Sequence, residues 1–297
     1  MIAAIDIGGT KIAVGMVDDS GRVLARHEQP TEAERGPESG LERICSMLTG
    51  VASQVSQPFT GIGIGCTGPV DPFSGTLERI EFMPSWEGLR LTERLSRRFG
   101  VTAAMENDAD AAALGESAWG AGKGAERFIY VTISTGIGAG IVLDGQLYRG
   151  VDGAHPEIGH HIIDPSGPAC ACGARGCWES LASGLALAQR SGYASAREAC
   201  AAAERGEARA CAAVREEGRY LGIGLANLVT IFTPDRIALG GGLMRSRDLF
   251  MEAIQDSIRL YCGMVPHEKT SILPALLGED SGLAGAARAW MHRYAGE

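Results

Sequence analysis

The chain has 297 residues, of which 45% are hydrophobic and 21% charged, and a net charge of −9; this is a globular composition, long enough for two lobes rather than one core. The acidic balance comes without a basic stripe, which argues against nucleic acid and an anionic membrane as partners. The N-terminal MIAAIDIGGT lacks a charged n-region and its apolar stretch stops at Asp6, and no later apolar run approaches membrane-spanning length, so a cytoplasmic protein without a signal peptide is expected.

In chain order, Ile2–Ile7 and Lys11–Val17 are predicted strands joined by a Gly-Gly-Thr turn, and a third strand, Val23–Glu28, follows the DDSG turn. A helix over Gly40–Val55, a strand over Gly61–Gly65, a helix over Leu89–Phe99 and a strand over Thr102–Glu106 complete a βββαβαβ set. The pattern then restarts, with strands Phe128–Ile133 and Ala139–Leu143 around STGIGAG. Helices are predicted at about Trp178–Arg190, Ala196–Arg205, Glu207–Phe232, Arg247–Tyr261 and Ser281–Tyr294, with a strand entering the glycines of DRIALGGGLM. The expected fold is α/β, two duplicated βββαβαβα lobes with a cleft between them. Residues 1–118 with 282–297 would form the smaller lobe and 119–281 the larger.

DIGGTK, Asp6–Lys11, places small residues between two strands, where backbone N–H groups of Gly8, Gly9 and Thr10 can approach an anion without a Cβ in the way. Asp6 could hold Mg²⁺ through water beside such phosphates. A plain hairpin turn would read the same, but a second copy at Ser134–Gly138, with Thr135 and Gly136, favours two phosphate contacts. No G-x-x-x-x-G-K-[ST] occurs, and GIGCTG (Gly63–Gly68) runs into Pro69 and Pro72 rather than a helix; Gly68 is therefore read as part of a ligand-lining loop. In MENDADAAALGE, Asn107 and Asp108 stand where a strand meets a helix. They suit a helix cap as well as a general base with an orienting amide. The glycines of IALGGGLM, with Gly240 and Gly241, could lie flat against an adenosine.

Of eight cysteines, five are scattered, and Cys170, Cys172 and Cys177 are bunched. With His160 ten residues before the first of them, three thiolates and one imidazole can close around a tetrahedral, structural zinc. A Cys170–Cys177 disulfide or free thiols are the alternatives. Pro165, Gly167 and Pro168 make the connection a rigid loop. An ion there would fix Glu157 and Glu179 in position.

Taken together, DIGGTKI, STGIGAGI, ENDADAAALGE, EIGH with CACGARGCWE, and LGGGL resemble, in order, the ROK family of repressors and sugar kinases, within the sugar kinase/Hsp70/actin superfamily. The resemblance spans nearly the whole chain and implies a two-lobed actin-like (ribonuclease H-like) fold and an ATP-dependent hexokinase of glucokinase type that uses Mg²⁺. It implies Asp108 as base and Asn107 as a sugar ligand, and Glu157, His160 and Glu179 as sugar contacts. It also implies His160, Cys170, Cys172 and Cys177 as zinc ligands and a homodimer. N-acetylmannosamine, N-acetylglucosamine, fructose or mannose are alternative acceptors. A sugar-sensing repressor is disfavoured, because the first phosphate motif starts at Asp6. Two departures stand out: His155-Pro156 precedes the Glu where many family glucokinases carry small residues, and Asp110 stands where Asn is common.

Overall fold

The computed structural model describes residues 1–294. The first β-sheet is built from β1 (Ile2–Ile7), β2 (Lys11–Val17), β3 (Val23–Pro30), β4 (Gly61–Cys66) and β7 (Thr102–Asn107). Its connections include α1 (Gly36–Ala52), the small hairpin of β5 (Val70–Asp71) and β6 (Thr76–Leu77), and α2 (Leu91–Phe99). The strand order is β3-β2-β1-β4-β7. The three N-terminal strands pair antiparallel, and β1, β4 and β7 pair in parallel. β1 and β4 are covered on both faces, which is why they read as continuous apolar runs rather than alternating ones. On one face Ile5, Ile7, Val14 and Ile64 pack with Ile44 and Leu48 of α1 and with Trp86. On the other, Ile2, Ala4 and Ala13 meet Leu283, Ala286 and Ala287.

The second sheet is built from β8 (Arg127–Ile133), β9 (Ile137–Leu143), β10 (Gln146–Leu147), β11 (Arg236–Gly240) and β12 (Ser271–Pro274), in the order β10-β9-β8-β11-β12. In chain order this is again third, second, first, fourth, fifth, so the expected duplication is present in the topology itself. Between its third and fourth strands lie the cysteine loop and the helices α4 (Trp178–Ala182), α5 (Gly184–Ser191), α6 (Ala196–Glu204) and α7 (Ala208–Phe232). The remaining helices are α3 (Asp108–Trp119), α8 (Met251–Tyr261) and α9 (Ser281–Tyr294). Two compact units result: Met1–Gly124 with Gly140–Pro156 and the chain from Leu276 on, and Ala125–Ala139 with Glu157–Ala275. Among the described residues no helix is long and apolar enough to cross a membrane.

The predicted helix over Trp178–Arg190 is broken. Ser183 is extended (φ −86°, ψ 166°), and its side chain caps α5 by accepting from Ala186 N. The break aims the start of α5 at the second glycine turn, where Gly184 N donates to Ser134 O at 2.8 Å. The predicted helix over Arg247–Tyr261 becomes regular only at Met251, after a 3₁₀ stretch over Leu243–Leu249. β12 had no expectation: SILP is a four-residue edge strand ending in Pro, too short and too polar in its surroundings to show a period.

Candidate functional site

In the first unit, Asp6 near the end of β1 pairs in register with Gly65 of β4, and Gly65 with Glu106 of β7. Asp108 follows directly as the first residue of α3. A Cβ at Gly65 would lie 3.7 Å from Asp108 Cα and 3.9 Å from Asp6 Oδ1, so Gly65 stands between the start of α3 and the Asp6 carboxylate. Burial, and next the negative charge of Asp108, push the Asp6 carboxyl up to about 7. Capping falls to Asn107: its Oδ1 accepts from Ala109 N at 2.8 Å and Asp110 N at 3.4 Å, while Nδ2 reaches Gly68 O at 3.5 Å. Asp108 Oδ1 also accepts from Ala109 N, at 2.8 Å, and Asp108 keeps partial exposure. The helix therefore has its cap without Asp108.

The turn between β1 and β2 is closed by Gly8 N donating to Lys11 O at 2.9 Å, and is held from β3 by the buried Thr31, whose hydroxyl donates to Gly8 O at 2.7 Å. Gly9 and Thr10 are exposed at its tip. Lys11 Nζ lies 2.9 Å from Glu28 Oε2, an exposed pair of small energetic weight.

In the second unit, the donor atoms of His160, Cys170, Cys172 and Cys177 all lie within 4.8 Å of one another. His160 Nδ1 is 3.4 Å from Cys170 Sγ, and Cys172 Sγ is 3.6 Å from Cys177 Sγ. These separations are too long for a disulfide, and all eight cysteines are unbridged among the described residues. They match the edges of a tetrahedron around zinc, where Zn–S bonds of ~2.3 Å put sulfurs ~3.8 Å apart. Burial, with the neighbouring sulfurs, pushes the Cys177 thiol up to about 12; a cation at the centre would remove that penalty. The donor set and its spacing fit zinc. The loop folds this tightly because Gly176 takes a left-handed φ of +69°, and any Cβ there would fall 1.5 Å from Asp164 O. Nδ1 of His160 faces the sulfurs, leaving Nε2 on the far side of the ring.

Cys177 leads straight into α4. Trp178 is fully buried and its Nε1 donates to Tyr220 O of α7 at 3.0 Å. Arg190 of α5 donates to Leu181 O and pairs with Glu217 at 2.5 Å, so α4 is held from two sides. The next residue, Glu179, reaches the second glycine turn: its Oε2 accepts from Ile137 N at 2.9 Å, and a Cβ at Gly136 would come within 2.3 Å of that oxygen. Sequence reasoning missed this contact, which no spacing rule shows. Glu157 is exposed and begins the 3₁₀ turn Ile158–His160.

Beside the same turn lies a cavity of about 680 Å³ lined by Ser134, Thr135, Ser195, Arg197, Gly242 and Arg245, among others, a size and composition that suit a small ligand. Of the three glycines after β11, Gly242 lines this cavity. Gly240 packs on the Tyr130 hydroxyl, and Gly241, at φ +89°, on the Ile133 backbone. Arg197 and Arg245 had no motif to flag them.

Two sheets of one topology, with a glycine turn after the first strand of each and a carboxylate at a helix start, match the actin-like two-lobed α/β fold of the ROK sugar kinases, and the glucokinase and hexokinase relatives make the chain a sugar phosphotransferase. The chain belongs to the ROK family, whose sequence profile matches residues 2–293. It is 36% identical to a glucokinase of Streptomyces coelicolor, with 95% of both chains covered. Its structure is similar to that of a ROK hexokinase from Thermus thermophilus (TM-score 0.87, 36% identity, 98% of both chains). It also resembles a ROK family glucokinase from Streptomyces griseus solved in complex with glucose and AMPPNP (TM-score 0.82, 33% identity, 96% of this chain and 97% of that one).

Proposed function

We propose that this sugar phosphotransferase moves the γ-phosphoryl group of ATP to the 6-hydroxyl of a hexose, glucose first among them. The observation that carries the reading is Asp108: a partly exposed carboxylate at a helix start, relieved of capping by Asn107 and held beside Asp6. Asp108 accepts the hydroxyl proton as the oxygen attacks phosphorus. Asn107, Glu157, His160 and Glu179 hold the remaining sugar hydroxyls, and Gly68 shapes the loop beside Asn107. The backbone N–H groups around Gly8, Gly9, Thr10, Thr135 and Gly136, with Lys11, meet the phosphates, while Gly240–Gly242 back the nucleoside. Asp6 is the residue that would hold Mg²⁺, which when bound neutralises phosphate charge. In a loose phosphoryl-transfer transition state most of the acceleration is positioning of this kind. Zinc held by His160, Cys170, Cys172 and Cys177 would be structural. The glucokinase relatives and the complex with glucose and AMPPNP support glucose and ATP; a cytoplasmic homodimer belongs to the same reading.

The test is formation of the sugar phosphate, read by ³¹P NMR, with ATP and Mg²⁺ against glucose, mannose, fructose, N-acetylglucosamine and N-acetylmannosamine, with polyphosphate as a second donor. Glucose should give the highest kcat/KM. Another sugar in first place replaces glucose in the reading; no turnover of any sugar with either donor defeats it.

A further inference from the structure

The two departures from the family pattern meet in the first unit. His155 Nδ1 lies 2.8 Å from Asp110 Oδ2, and the side chains are 10% and 3% exposed. A second, partly buried contact accompanies them: the Arg149 guanidinium donates to both oxygens of Glu106, with Nε at 3.3 Å from Oε2. Residues 149–155 form a tight loop between these contacts, closed by Gly150 N donating to Ala154 O at 2.7 Å. Glu106 and Asp110 stand on either side of Asn107 and Asp108 in the chain. The loop is thus fastened to the β7–α3 junction by an Arg–Glu ion pair before the cap and base and a His–Asp contact after them.

Asp110 is also not saturated. Its Oδ1 is buried and has no hydrogen-bond partner among the described residues. Glu116, two turns further along α3, shows what a carboxylate in a purely structural role looks like here: it accepts from Ala121 N, Leu276 N and Leu277 N at 2.8, 3.1 and 2.8 Å. Buried carboxylates are costly to desolvate, and their acceptors are ordinarily filled. A carboxylate buried with an acceptor to spare, its other oxygen on an imidazole, is a poor staple and a good orienting group. After His155 the chain passes only through Pro156, whose φ is restricted, before reaching Glu157.

We propose that Asp110 and His155 are positioning residues for the acceptor sugar. The pair holds the first turn of α3, with Asp108 on it, and fixes the backbone that leads into Glu157. This rests on the reading of Asp108 as base and Glu157 as sugar ligand. None of these contacts involves the glycine turns, so the nucleotide does not depend on them.

His155→Ala and Asp110→Ala should each raise the KM for sugar by about tenfold or more, the effect of a small displacement of the groups that meet the sugar, and lower kcat, with the KM for ATP unchanged. The double variant should be no worse than the worse single one, because both changes remove one interaction. His155→Asn, which keeps a polar nitrogen near the place of Nδ1, should recover most of the loss, as a merely structural role would not require. If the alanine variants do not fold, Asp110→Asn is compared with His155→Asn, and the former should show the larger sugar KM. An unchanged sugar KM, sugar and ATP constants rising together, or additive losses in the double variant would each overturn the pairing. An inert wild type defeats the functional reading itself; an active wild type with unaffected variants defeats only the positioning role.

Discussion

Asp108 and Asp6 make a coupled residue-scale prediction. Asp108→Asn retains the side-chain shape, and Asn107 still caps α3, so the fold should persist while kcat falls by ~10²–10⁴, the range for loss of a general base. Near-normal turnover in a folded Asp108→Asn protein would reduce Asp108 to a first-turn acid that suits the helix dipole. The same substitution removes the second cause of the raised Asp6 pKa, so Asp6 should ionise at lower pH in the variant; ¹³C carboxyl NMR reads this directly. The stability consequence has a definite sign. Folded Asp6 keeps its proton up to about 7, whereas an unfolded aspartate loses it near ~3.9. Asp6 therefore favours the folded state most below the unfolded value, and this contribution is lost as pH rises through about 7. An Asp6 titration identical in both proteins would remove Asp108 as its neighbour in solution.

At the scale of elements, the cysteine loop and α4 act as one piece: Cys177 would close the metal site, Trp178 anchors the helix, and Glu179 touches the glycine turn. His160→Cys separates the two duties assigned to His160. A thiolate replaces the ring nitrogen facing the sulfurs, but nothing replaces Nε2. The variant should bind one zinc per chain, as measured by atomic absorption, and show a sugar KM raised roughly 5- to 150-fold, the equivalent of ~1–3 kcal/mol for an unpaired buried hydroxyl. The ATP constant should hardly move. Zinc retained with an unchanged sugar constant would leave the loop a staple alone. The helix break at Ser183 belongs to this scale too. Residues 178–190 have an apolar, helix-compatible sequence, and their local propensity carries no sign that Gly184 N would be claimed by Ser134 O.

For the whole molecule, the chain divides into two compact units, and the cysteine loop belongs to the second alone. Zinc bound by folded protein is folding free energy for the part that binds it. Chelation should therefore raise amide hydrogen exchange in the loop, α4 and α7, while α1 and β1–β4 keep their protection. Uniform loss of protection across both units would mean that the metal supports the chain as one cooperative body.

Much of this was legible from residues alone. The central strands β1, β4, β8 and β11 announce themselves as apolar runs because parallel strands covered on two faces need no alternation. The glycine turns, the Asn107-Asp108 junction and the Cys/His spacing are local chemistry, readable because their parts lie within a few residues of one another. Short edge strands such as β10 and β12 were not legible, since two to four residues show no period. Nor were the contacts made over long stretches of chain: Glu179 on Ile137 N, Arg149 on Glu106, His155 on Asp110. Sequence by itself determined which chemical groups the protein owns and which elements carry them. Only the tertiary structure decided which carboxylate would be spent on a backbone N–H, which on a cation, and which left open, because those choices depend on burial and distance between residues that the chain order keeps far apart.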